Sequence, residues 1–162
     1  MKTMVHWLMA LGIVLGVIVI SPRGLQAAGL CSTAPSRENC DGQDPYDVGC
    51  WGDKRVIESQ YINDSVTSVR IGKVTLYYSP KCKSNFSYVE RLHEAYTFSE
   101  AYMVYENGYD EDLYWATRDN GSTRYRWSNM VYAPTGTSLK VGACGWLKSS
   151  AGGKGGNCTA AY

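Results

Sequence analysis

Six cysteines constrain this chain more than any other feature: Cys31, Cys40, Cys50, Cys82, Cys144 and Cys158. All of them lie beyond a stretch that reads as a secretory signal. The chain opens MKTMVHWLMALGIVLGVIVISPRGLQAAG. Lys2 gives a short positive region, Trp7 to Ile20 is an apolar run, and Leu25-Gln26-Ala27 ends on a small residue. Those are the three parts of a cleavable export signal. The run is shorter than the ~20 residues a membrane-spanning helix needs. Residues 1–28 are therefore expected to be removed, leaving residues 29–162 as one secreted domain. An uncleaved anchor is the alternative.

An even number of cysteines in an exported chain reads as three disulfides. Zinc sites instead favour closely spaced cysteine pairs, often joined by histidines. The intervals between successive cysteines here are 8, 9, 31, 61 and 13 residues. His93 is the one histidine left after the leader. Spacing alone does not choose among about fifteen pairings. The expected set is Cys40–Cys50, Cys144–Cys158 and Cys31–Cys82. No metal or cofactor is implied.

Losing the leader removes Lys2 and Arg23 and no acid, so fourteen basic residues face fifteen acidic ones. Such a chain lacks the basic excess that drives binding to a phosphate backbone. It also lacks a polybasic membrane patch. Neither nucleic acid nor a membrane is an expected partner of the mature domain.

The pattern within the domain is that of β-structure. In VTLYYS, Val74, Leu76 and Tyr78 share one face, with Thr75, Tyr77 and Ser79 opposite. Gly72-Lys73 reads as a turn making 65–79 a hairpin, or Gly72 as a bulge. Asn120-Gly121 suits a type I′ turn between strands near 113–118 and 122–127. Further strands are expected near 54–62, 85–92, 101–106, 130–133 and 139–146. A helix over Tyr88–Ala95 is the weaker alternative to strand there. SSAGGKGGNC, residues 149–158, reads as a flexible loop. The expected fold is all-β: a small antiparallel sandwich or barrel of about seven to eight strands, stapled by disulfides.

CDGQDPYDVGC, residues 40–50, raises the question of a metal site. Calcium takes six to eight oxygens, and Asp41, Asp44, Asp47 and Asp53 are candidates. The spacing is not that of a calcium-binding hand, and Asp-Gly and Asp-Pro are turn dipeptides whose carboxylates cap their own backbone. A structural turn is the preferred reading.

Three motifs then carry a resemblance. Residues 40–50 form C-x-G-x-D-P-x-x-x-G-C, VTLYYSPKC spans 74–82, and RWSNMVYAP spans 126–134. Together they resemble the YjfA-like proteins, a secreted bacterial family of unknown function, from about Cys31 to Cys144. Tyr77 stands where that family usually has Arg, and Phe86 where it often has Trp. The resemblance implies secretion and a bacterial source, and it brings no catalytic residues.

For chemistry, the sequence offers His93 beside Glu90, Arg91 and Glu94, a set that a small secreted hydrolase or ribonuclease could use. A second candidate is the carboxylate run Glu106, Asp110, Glu111 and Asp112, since glycosidases work with a pair of such acids. No nucleophile elbow, P-loop or zinc-protease motif accompanies them. The preferred reading has no catalytic residue. Thirteen tyrosines against two phenylalanines point instead to rings whose hydroxyls seek water or a partner. Tyr102, Tyr105, Tyr109, Tyr114 and Trp115 cluster with the acids. They are the expected binding face for an envelope glycan or a protein. The function expected is thus a secreted binding domain acting outside the cell or at the envelope. A purely structural surface protein is a further alternative.

Overall fold

The computed structural model describes residues 29–105 and 124–161. The leader, the Asn120-Gly121 turn, the acidic run 106–112 and the rings of Tyr109, Tyr114 and Trp115 lie outside the described residues. Two single helical turns come first, α1 (Leu30–Thr33) and α2 (Arg37–Cys40). Eight strands follow among the described residues: β1 (Arg55–Asn63), β2 (Arg70–Ser79), β3 (Ser84–Arg91), β4 (Tyr96–Tyr105), β5 (Tyr125–Trp127), β6 (Val131–Tyr132), β7 (Val141–Ser149) and β8 (Lys154–Cys158). The all-β expectation holds.

The strands form two antiparallel sheets. The larger runs β1-β2-β3-β5, with β6 paired to the same edge of β3 further along. The smaller runs β4-β7-β8. Between the sheets lies a core of Ile62, Ile71, Val74, Leu76, Val89, Met103, Val141 and Leu147, with Tyr105 packed against it. A second core covers the other face of the large sheet. It contains Cys31, Cys40, Cys50, Cys82, Phe86, Trp127 and Met130. Strand alternation explains the division: Val74 and Leu76 point inward, while Thr75 and Tyr77 point outward.

Gly72 is not a turn, and the bulge alternative fits better, because the β1–β2 register shifts beside it, between Ile62 and Asn63. Gly72 sits inside β2, paired with Ile62 on one side and Arg91 on the other. A Cβ at Gly72 would collide with the side chain of Leu147 from the opposite sheet. A Cβ at Gly145 of β7 would likewise collide with Val89. Each sheet therefore offers a glycine hole to a side chain of the other, which is how two twisted sheets come unusually close.

The glycine-rich 149–158 stretch also differs from the sequence expectation. Its second half is β8, paired with β7 over Cys144–Cys158 to Lys148–Lys154. Only glycine fits at position 155, because a Cβ would overlap the Asn63 carbonyl of β1. Asn157 Nδ2 donates to the Tyr61 carbonyl at 2.8 Å, and the Ser65 amide to Lys154 O at 2.9 Å, closing one side of the sandwich. Here glycine serves close backbone approach, not mobility.

The helix alternative over Tyr88–Ala95 does not occur. β3 ends at Arg91, and a turn closed by the Tyr96 amide donating to His93 O leads into β4.

Asp64 organises the turn between β1 and β2. Its carboxylate accepts from the amides of Val66 and Thr67, the Thr67 hydroxyl and, at 2.9 Å, the hydroxyl of Tyr96. These donors, led by the Thr67 amide, hold its pKa down at about 2. The same bond, with burial, pushes the Tyr96 phenol up. A carboxyl depressed in the folded state contributes stability above the ordinary carboxylate range of ~4 and loses it as pH falls towards 2. Melting temperature should drop across that interval, and less steeply in Asp64→Asn, whose amide oxygen still accepts. Equal slopes for the two proteins would remove Asp64 from the account.

Candidate functional site: an aromatic platform on the large sheet

The disulfides are Cys31–Cys40, Cys50–Cys82 and Cys144–Cys158. The last agrees with the sequence expectation; Cys40–Cys50 and Cys31–Cys82 do not form. The reason lies in the path of the 40–50 loop. Its two ends turn to different neighbours, Cys40 back to α1 and Cys50 across to the β2–β3 turn.

What shapes that loop is hydrogen bonding to a distant segment. Asp44 is buried, caps the amides of Tyr46 (2.8 Å) and Asp47, and accepts from the Trp127 indole at 3.0 Å. The Gly42 amide donates to Met130 O, and the Met130 amide to Gln43 O. Asp41 accepts from the Tyr132 amide at 2.6 Å and pairs with Arg37. Asp53 accepts from the Ser79 hydroxyl and the Lys81 amide, both at 2.7 Å. Asp41, Asp44 and Asp53 thus serve backbone donors, as turn carboxylates do. Among the described residues, the one group spaced to share an ion is Cys31, Cys50 and Cys82. All three are oxidised and present no thiolate.

The three motif segments therefore converge, and their meeting point carries a layer of rings. The outward positions of β2, β3 and β5 hold Tyr77, Phe86, Tyr88, Tyr125 and Trp127. Trp51, fixed by the neighbouring Cys50–Cys82 bond, lies across them. Trp51 packs 4.9 Å from Trp127 and stacks at 5.5 Å on Phe86. Phe86 and Trp127 form the buried floor. Above them runs a half-buried to exposed row: Trp51 to Tyr88 at 6.0 Å, Tyr77 to Tyr88 at 5.8 Å, Tyr88 to Tyr125 at 5.8 Å. Tyr46, 66% exposed, meets the edge of Trp51 at 6.4 Å.

Charges of both signs border the row. Lys54 Nζ sits 4.2 Å above the Trp51 ring, a cation–π contact, and partial burial there lowers its pKa. Glu90 pairs with Arg124 at 3.3 Å. Burial, then the charge of Glu90, pushes the Tyr88 phenol up to about 12 and raises Tyr77 as well. Both hydroxyls stay protonated at neutral pH, able to donate as well as accept.

Of the described residues singled out in the sequence, Glu90 borders the row and the others fall elsewhere. Tyr105 points inward and packs on the inter-sheet core. Tyr102 faces outward from the small sheet, where its hydroxyl accepts from the Trp146 indole at 3.1 Å. Glu90, Arg91 and His93 are engaged separately. Glu90 binds Arg124, Arg91 donates to Tyr96 O at 3.0 Å, and exposed His93 accepts the Ala95 amide through Nδ1. The overlooked rings had a faint signal in FSY (86–88) and YRW (125–127), where aromatics two apart share a face.

Comparisons with protein-family profiles, curated proteins and solved structures return no match, and so nothing in them bears on the YjfA-like resemblance.

Proposed function

We propose that this chain is an exported, non-catalytic binding domain that holds a saccharide against the outer face of its large sheet. The observation that carries the reading is the row of rings in which Trp51, Tyr77 and Tyr125 each meet Tyr88, with its charged border. Sugar rings present apolar C–H faces and a rim of hydroxyls. Tyrosine rings match the first by stacking and the second through their own hydroxyls. The sorting of ring types supports this: Phe86 and Trp127 are buried, while the exposed rings are mostly tyrosines. The three disulfides in so small a domain are compatible with an extracellular setting. Export by the leader and a place at a bacterial envelope, as the YjfA-like resemblance implies, belong to the same proposal.

The test is retention on insoluble chitin and peptidoglycan. Wild type should be retained. Tyr88→Ala combined with Tyr125→Ala should bind at least tenfold more weakly, about what one well-placed interface ring is worth. Tyr102→Ala, on the other sheet, should bind as wild type does. Failure of the wild type to bind either polymer removes the glycan reading.

A further inference from the structure

A second concave feature lies apart from the ring row, at one end of the sandwich. In the large sheet Arg55 pairs with Tyr78, and Tyr78 with Asn85. Directly opposed residues share a face, so this row lies on the side of Val74 and Leu76, which the small sheet covers. A cleft of about 650 Å³ opens there, lined by Arg55, Ile57, Tyr78, Pro80, Lys83 and Pro134 among others. That volume falls within the range of small-molecule sites.

Its lining divides in two. Ile57, Tyr78, Pro80 and Pro134 give flat apolar walls. Arg55 and Lys83 give two positive charges, and among the described residues neither lies within 4.0 Å of a carboxylate. The nearby acid, Asp53, is already taken by the Ser79 hydroxyl and the Lys81 amide. Lys83 also holds a left-handed backbone (φ 50°), uncommon outside glycine and asparagine. The tight β2–β3 turn thereby brings it to the cleft. Two uncompensated cations over apolar walls select an oxyanion attached to a compact, partly apolar body.

We propose that this cleft binds the carboxylate of an acidic sugar unit, making it a charge-selective subsite at the end of the sandwich, separate from the stacking row on the outer face of the large sheet. The proposal rests on the saccharide-binding reading above, and the two fail in distinguishable ways.

The probes are hexagalacturonate and its fully methyl-esterified counterpart, titrated calorimetrically against the oxidised protein. The variants are Arg55→Gln with Lys83→Asn, asparagine being chosen because it tolerates the left-handed backbone. Wild type should bind the acid form at least tenfold more tightly than the ester. The charge variant should lose that preference while keeping its affinity for the ester. Tyr88→Ala with Tyr125→Ala should weaken both ligands and keep the preference. If wild type binds neither ligand, or binds both equally, the proposal is overturned. A preference that persists in the charge variant overturns it as well. Acid binding that depends on Arg55 and Lys83 but is untouched by the ring variant upholds the cleft and sinks only the ring row.

Discussion

Removing the Cys50–Cys82 bond by replacing both residues with alanine should destabilise the domain by about 3.7 kcal/mol, the value the chain-entropy model gives for a loop of this span. The same change at Cys31 and Cys40, which close a much shorter loop, should cost about 2.7 kcal/mol. The larger loss is a sizeable part of the ~5–15 kcal/mol that typical domains possess. It also releases Trp51, the residue after Cys50, from its place against Phe86 and Trp127. Denaturant unfolding followed by tryptophan fluorescence reads both effects. The double variants are required because Cys50 Sγ lies 3.8 Å from Cys31 Sγ. In Cys82→Ala alone, the freed Cys50 thiolate can attack the Cys31–Cys40 bond, forming Cys31–Cys50 and releasing Cys40. A loss below ~1 kcal/mol in the Cys50/Cys82 double variant would show that this bond does not hold the second core together.

The other large effect concerns the approach of the two sheets. Gly145→Ala puts a methyl group against Val89, with Ile62 Cδ1 only 3.3 Å away, and overpacking of this kind costs roughly 1–3 kcal/mol. Val89→Ala alone should also destabilise, by removing buried methyl groups, at a cost of about 2–3 kcal/mol. Together the two changes should cost clearly less than their sum, by about 1 kcal/mol or more, because the new methyl group partly fills the space that valine vacates. Strict additivity in that cycle would mean that Val89 does not occupy the hole at Gly145.

These two predictions mark the boundary of what sequence patterning reveals. Alternation places Val74 and Leu76 inward and Tyr77 outward, and the cysteine count implies three disulfides, because both signals are local or compositional. Gly72 reads as a turn or a bulge since nothing nearby in sequence announces Leu147, the side chain that fills its place. The stretch 149–158 reads as loop for the same reason: the carbonyl that excludes a Cβ at Gly155 belongs to Asn63. The misassigned pairings of Cys40 and Cys50 follow too. A short loop between cysteines suggests its own closure, but Asp44 and Gly42 bind residues more than eighty positions away, and that long-range stitching sets where the sulfurs point. The platform is hidden because its rings come from four separate segments. Tyr102 and Tyr105 stand out only because they are close neighbours along the chain.

The ring row requires Trp51 to be held over the β2–β3 hairpin, and this in turn requires its neighbour Cys50 to be joined to Cys82. Proteolysis of the oxidised protein without reductant, followed by mass spectrometry of the linked peptides, measures this directly. This fold yields one linked pair containing Cys50 with Cys82 and another containing Cys31 with Cys40. Recovery of Cys40 joined to Cys50, or of Cys31 joined to Cys82, would dismantle the platform and the binding surface built on it.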